Sequence, residues 1–206
     1  GRDEIVYGAM GIDDDGKGLW SSGLGHGDAM HVSDLDPARP GLEKWGVHEN
    51  VKGNGGIGGA MLDARTGEIL WTTPADKDTG RGVAADIDPR HPGMEVWGSN
   101  SDQLYDVKGK PIGPRPRQMN FAIWWDGDLS RELLDGTRIF KWDYEKAASV
   151  PLLDPQGVLS NNGTKANPAL SADILGDWRE EVIWGAADNR SLRIYVSPFP
   201  TQYRLP

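Results

Sequence analysis

The sequence predicts an all-β chain of repeated four-stranded sheets, part of a β-propeller. Composition is the first support: 28 glycines, 14 prolines and 9 tryptophans in 206 residues indicate short strands joined by tight turns. An internal repeat is the second: Asp34-Leu-Asp36-Pro with Gly41, Glu43 and Trp45 returns 52 residues later as Asp86-Ile-Asp88-Pro with Gly93, Glu95 and Trp97. The third is that proline and glycine interrupt nearly every window that could form an amphipathic helix.

Each copy reads as strand, acidic turn, strand. A short apolar strand (Val83 to Ile87) enters a turn whose Asp, Pro and Gly suit Asx-turns and positive φ, and a second strand carries Trp, Val or Ile. Two looser copies follow, at Trp124-Trp-Asp126-Gly-Asp128 with Glu132 and at Asp173-Ile-Leu-Gly-Asp177 with Glu180 and Glu181. Between copies lie further hairpins, turning at Arg65-Thr66-Gly67 and Lys108-Gly109. Two hairpins per unit make a four-stranded blade of about 40–50 residues, so the chain holds four to five blades. It reads as a single partial propeller domain over residues 1–206, cut at both ends. The alternative all-β arrangement, a sandwich, would not repeat an acidic turn at fixed spacing.

The formal charge of −9 and the lack of a Lys/Arg cluster argue against nucleic acid, and no apolar run approaches the ~20 residues of a membrane-spanning helix. Zero cysteines exclude disulfides, zinc–thiolate sites and thiol nucleophiles. The glycine run Gly53 to Gly59 has neither βαβ context nor a following Gly-Lys-Ser/Thr, so it is read as close backbone packing rather than a phosphate loop.

The acidic turns are read as calcium sites. Carboxylates crowded into one turn repel, and a hard cation relieves the repulsion while accepting irregular oxygen ligands. The candidate ligands are Asp34, Asp36 and Glu43; Asp86, Asp88 and Glu95; Asp126, Asp128 and Glu132; and Asp173, Asp177 and Glu181. The competing reading is that these Asp side chains bond only their own turn backbone. The acidic turn Asp13-Asp14-Asp15-Gly16 lacks the spacing of an EF-hand loop and is read as a solvated hairpin turn.

The repeat also supplies a common frame for the polar residues before each first strand. His26 and Asp28 precede Asp34 by eight and six residues, Arg81 precedes Asp86 by five, Asn120 precedes Asp126 by six, and Lys165 precedes Asp173 by eight after Asn161, Asn162, Gly163 and Thr164. On successive blades such loops project from one rim. Arg grips a carboxylate through two bonds, Lys supplies a point charge, and His titrates near neutrality. Taken singly, each has an ordinary structural use. His91 is read as part of a turn, and His48 is left without a role.

These strings resemble polysaccharide lyase family 11, the rhamnogalacturonan lyases. The resemblance rests on Gly27-Asp28-Ala-Met-His-Val-Ser-Asp34-Leu-Asp-Pro, Gly80-Arg81-Gly82, Trp124-Trp-Asp-Gly-Asp128-Leu, Ser160-Asn-Asn-Gly-Thr-Lys165 and Asp173-Ile-Leu-Gly-Asp-Trp-Arg-Glu-Glu-Val-Ile-Trp184. It implies an eight-bladed propeller about three times longer than this chain, bound Ca2+, and β-elimination at galacturonate in the rhamnogalacturonan I backbone of pectin. It further implies that Arg81 and a cation neutralise the uronate carboxylate, that Lys165 or His26 acts as base, and that Asn161, Asn162, Gly163 and Thr164 contact sugar. Asp28 would hold a histidine or a calcium ion. The short segment Thr72 to Thr79 points to endo action. The resemblance also implies a secreted protein, monomeric at full length, acting on pectic polysaccharide, with neither nucleic acid nor membrane as partner. Two other functions compete: a calcium-stabilised propeller that binds glycan or protein without catalysis, and a quinone-dependent dehydrogenase, prompted by the tryptophans and the Asp63-to-Trp71 hairpin. New unsaturated uronate separates the first from the lyase; cofactor and electron-acceptor dependence separates the second.

Overall fold

The computed structural model describes residues 3–205. It is a β-propeller chain of successive antiparallel meanders, and its single helical element among the described residues is a 3₁₀ turn at Gly163–Lys165. No helix among the described residues is long and apolar enough to cross a membrane. The chain divides into two compact units, Gly1–Arg115 and Pro116–Pro206.

The first unit holds three sheets. The first has three strands, β1 (Ile5–Tyr7), β2 (Met10–Ile12) and β3 (Gly18–Ser21). The second contains β4 (Met30–Ser33), β5 (Glu43–Val47), β6 (Ile57–Asp63) and β7 (Ile69–Pro74), and the third β8 (Gly82–Ala85), β9 (Glu95–Gly98), β10 (Gln103–Tyr105) and β11 (Pro111–Pro114). Strand order follows chain order in each, as the two-hairpin reading expected. β8 stops at Ala85, two residues short of the expected end, because Ile87 and Asp88 turn their amides away from the ladder into the corner.

The second unit holds β12 (Phe121–Ile123), β13 (Glu132–Asp135), β14 (Arg138–Asp143) and β15 (Ala148–Leu153), then β16 (Val158–Leu159), β17 (Leu170–Ala172), β18 (Glu181–Ala186) and β19 (Leu192–Tyr195). Here β16 and β17 both pair with β18, with Leu159 opposite Gly185 and Leu170 opposite Ile183. They are two pieces of one strand, parted by an excursion over residues 160–169.

Strands such as β5, β8 and β9 are buried at every position, and neighbouring sheets of the first unit pack together, β5 against β8. Tryptophans tie those sheets together. Trp20 donates its indole N–H to the carbonyl of Ala64 at 3.1 Å, and Trp71 donates to that of Val107 at 2.9 Å. In both places the ring lies on a turn glycine of the next sheet: a Cβ at Gly67 would overlap Trp20, and one at Gly109 would overlap Trp71. Both glycines have positive φ, so turn geometry and ring packing demand the same residue. In the second unit Trp184 donates its indole N–H to the Gly136 carbonyl at 3.2 Å. The glycine run reaches into β6 and makes room for side chains rather than for backbone: a Cβ at Gly58 would strike the side chains of Ala75 and Thr79, and one at Gly59 the ring of Trp45.

All four acidic corners share one device. A buried Glu points one carboxylate oxygen at two successive backbone N–H groups. Glu43 accepts from Leu35 and Asp36 (3.1 and 3.0 Å), Glu95 from Ile87 and Asp88 (both 2.9 Å), Glu132 from Trp125 and Asp126 (both 2.8 Å), and Glu181 from Ile174 and Leu175 (3.0 and 3.1 Å). Consecutive amides aimed one way form a small anion cradle, which is why glutamate recurs there. The device also corrects the alignment of copies. Asp126 is equivalent to Asp36 and Asp88 rather than to Asp34 and Asp86, and Leu175 fills that place in the fourth corner.

Candidate active site

The polar loops lie at the ends of the first strands opposite the corners. In the first unit, β4 pairs with β5 so that Met30 faces Gly46. Continuing that register past the strand end brings His48, Glu49 and Asn50 level with Asp28, Gly27 and His26. The backbone holds this extension: Val47 N–H donates to the Ala29 carbonyl at 3.1 Å and Glu49 N–H to that of His26 at 3.0 Å. Gly27 makes it sterically feasible, since a Cβ there would run into the Val47 carbonyl.

One nitrogen of His26 and one carboxylate oxygen each from Asp28 and Glu49 lie within 4.8 Å of one another. His26 Nδ1 stands 3.2 Å from Glu49 Oε1. Arg81, from the loop before β8, places Nη1 3.5 Å from Asp28 Oδ2 and also donates to the Gly80 carbonyl. The structure thus unites His26, Asp28 and Arg81 in one cluster and adds Glu49, which sequence reading missed. Two carboxylates suit a hard cation, the imidazole accepts it through nitrogen, and a partly exposed set leaves coordination positions for a ligand. The donor set therefore fits a divalent cation. Beside it lies an open depression of about 510 Å³ bordered by Tyr7, Met10, Ser21, His26, Asp28 and Met30.

Beneath the cluster sit two buried cationic-type side chains. His48 is 1% exposed; its Nδ1 donates to the Gly25 carbonyl at 3.2 Å, and its Nε2 has no hydrogen-bond partner. Lys44, on the same face of β5, is also 1% exposed, and a Cβ on Gly46 between them would overlap its Nζ. Burial lowers the Lys44 pKa to about 8. Burial, and then the Lys44 charge, lower that of His48 to about 4, so His48 is a neutral imidazole at physiological pH.

In the second unit, Asn161, Asn162, Gly163, Thr164 and Lys165 all fall on the excursion between β16 and β17. Asn161 and Asn167 close its base as an isolated bridge. Asn162, Gly163 and Ala166 take left-handed φ of 63°, 54° and 52°. Two of these are not glycine, and such conformations cost roughly 1–3 kcal/mol each. The loop exposes the side chains of Asn161, Asn162 and Thr164, with Lys165 half-buried behind them. Asn120 does not project as a ligand; it donates to Asp135 at 2.8 Å.

The corner carboxylates assigned to calcium are engaged by side-chain cations. Lys108 Nζ lies 2.5 Å from Asp36, and Arg39 bridges Glu43 and Asp63. Arg90 pairs with Asp88 at 2.6 Å and Arg179 with Asp177 at 2.6 Å. Asp126, Asp128 and Glu132 converge on Lys141 Nζ at 3.0, 2.7 and 2.5 Å. Burial opposes the Lys141 charge, but the Glu132 charge and the hydrogen bonds that Lys141 donates to Asp128, Glu132 and Asp126 outweigh it and hold its pKa above the usual lysine range. Asp36, Asp88, Asp126 and Asp173 each accept a backbone N–H of their own turn as well. Asp34 is exposed and Asp86 half-buried.

The model of the rhamnogalacturonan lyase family 11 C-terminal domain matches residues 1–206. The chain is 56% identical to rhamnogalacturonan endolyase YesW of Bacillus subtilis (strain 168), over 100% of its own length and 33% of that protein. It is 52% identical to rhamnogalacturonan exolyase YesX of the same organism, over 98% of its length and 36% of that protein. Its fold superposes on the Bacillus licheniformis rhamnogalacturonan lyase PL11 structure with a TM-score of 0.94 at 57% identity, covering 98% of this chain and 34% of that one. The chain spans about a third of the length of these relatives. It belongs to rhamnogalacturonan lyase family 11, as the loop and corner motifs had implied.

Proposed function

We propose that the whole protein bearing this chain is a calcium-dependent rhamnogalacturonan lyase, and that His26, Asp28 and Glu49 hold the cation beside Arg81. The observation that carries this is the convergence of a cation donor set and a guanidinium on one rim in a chain of this family. Bound calcium would supply a hard positive charge for the galacturonate carboxylate. Arg81 supplies a second, fixed charge for the same group. Together they acidify the proton at C5. A base takes that proton, the electron pair forms the C4–C5 double bond, and the bond from C4 to O4 breaks; the oxygen leaves on the rhamnose and takes a proton, from the protonated base or from water, to become a hydroxyl. Lys165 and His26 are the two base candidates. With His26 committed to the cation, Lys165 is the better of them. Its strained loop presents Asn161, Asn162 and Thr164 outward for sugar hydroxyls.

Endo action is supported by the link from β7 to β8. It is short and bound to its own unit through Ala75 N–H to Gly56 O at 2.8 Å and Asn100 to Pro74 O at 2.8 Å, rather than extended as a wall. A substrate of this kind is a large extracellular polymer, which supports secretion. The test is ultraviolet absorbance of the unsaturated uronate, measured on the full-length enzyme. Lys165→Ala is expected to lower turnover about 10²–10⁴-fold; unchanged turnover excludes Lys165 as base. Full activity after exhaustive chelation rejects the calcium role.

A further inference from the structure

Among the described residues no hydrogen bond joins the His48 side chain to the groups assigned to chemistry, yet the residue is hydrogen-bonded to both loops that carry them. Its ring N–H holds the Gly25 carbonyl, one residue before His26. Its backbone carbonyl accepts the N–H of Thr79 at 3.2 Å, two residues before Arg81. Its own N–H is tied to Gly58 O at 2.8 Å in the neighbouring strand, and its successor is Glu49. A carbonyl can only accept, so the contact with Gly25 assigns the single ring proton to Nδ1 and leaves Nε2 as a lone pair. A buried neutral imidazole without a partner on one nitrogen costs desolvation free energy, and an apolar residue of similar size would avoid that cost. What the histidine provides in return is the grip on Gly25.

We propose that His48 is a positioning residue: through Gly25 and Thr79 it fixes the spacing of the His26–Asp28 loop and the Arg81 loop, and so the geometry of the cation donor set. Buried Lys44 is stretched over Gly46, the residue two before His48. The inference rests on the reading of His26, Asp28 and Glu49 as a cation site.

Calorimetric titration of the full-length protein with calcium tests it, using the binding component that Asp28→Asn removes. His48→Leu is expected to weaken that component about tenfold or more, in the range found when groups supporting metal ligands are lost. His48→Asn, whose side-chain amide can donate from nearly the position of Nδ1, is expected to keep it within about threefold. If the leucine variant does not fold, His48→Gln, which displaces the donor by one carbon, takes its place. Wild-type affinity in His48→Leu overturns the proposal, as does an equal loss in the leucine and asparagine variants, which marks a packing role. Calcium binding that Asp28→Asn leaves intact overturns the cation-site reading itself, and this inference with it.

Discussion

Two triads in this chain each bring three metal-type ligands together: His26, Asp28 and Glu49 in the first unit, and Asp126, Asp128 and Glu132 in the second. They differ in what neutralises them. The second encloses Lys141, whose ammonium contacts all three carboxylates within 3.0 Å. The first meets the edge of Arg81, at 3.5 Å from Asp28, and keeps its imidazole and both carboxylates at the rim. Acidic residues grouped this closely can therefore be closed by the chain's own cation or left open at the rim. The difference lies in a single lysine of β14, the third strand of its sheet, which reaches across the corner into the midst of the carboxylates, whereas the guanidinium of Arg81 stands at the side of its cluster.

Breaking the closed triad should give the largest effect. Lys141→Met strands a buried Glu132 and two further carboxylates. Removing one partner of such a group typically costs about 3–5 kcal/mol, read by denaturant unfolding of the full-length protein in chelator. Added calcium should recover part of the loss in the variant at this corner. A loss below about 1 kcal/mol would mean that Lys141 is not the counter-charge.

The open triad makes the opposite prediction. Arg81→Ala should leave stability nearly unchanged, because its Asp28 contact is long and partly exposed, and lower lyase turnover about 10²–10³-fold, as expected for loss of a charge aimed at a developing anion. Equal effects on folding and turnover would blur the distinction between the two regions.

The second corner sharpens the comparison on a smaller scale. Glu95 is fully buried and one of its oxygens, Oε1, has no hydrogen-bond partner. Burial raises its pKa to about 8, with Asp86 and Asp88 adding to the shift against the two backbone N–H bonds. The folded state thus holds a proton that the unfolded chain has lost. That contribution is fully present below about pH 4.5, the unfolded value, and is lost as pH rises through about 8. In chelator, wild-type stability should decline by about 1 kcal/mol per pH unit across that window relative to Glu95→Gln, whose pH dependence there should be flatter. Parallel stability–pH curves for the two proteins would show that Glu95 is ionised in the fold.

Much of this was legible in the residues. The paired strings around Asp34 and Asp86 identified the blades. The third corner was read two residues out of register, because its one clear signal, Asp126-Gly-Asp128, begins at the second amide that Glu132 clamps, whereas Asp34-Leu-Asp36 begins one residue before the first amide that Glu43 clamps. Lys108, Arg90 and Lys141 were invisible as counter-charges, since each depends on which side of a strand or turn faces the corner. Glu49 was missed for a different reason. It stands 23 positions after His26 with no motif of its own. Counting the β4–β5 register three residues past Met30 would have found it, with His48 one step earlier, because antiparallel pairing sets the residues leaving one strand beside those entering its neighbour.

Anomalous diffraction from crystals of the full-length protein soaked with manganese as a calcium substitute measures the contrast between the two triads most directly. The account predicts a peak within coordination distance of His26, Asp28 and Glu49 and none beside Lys141. A peak among Asp126, Asp128 and Glu132 with none at the histidine cluster would contradict it.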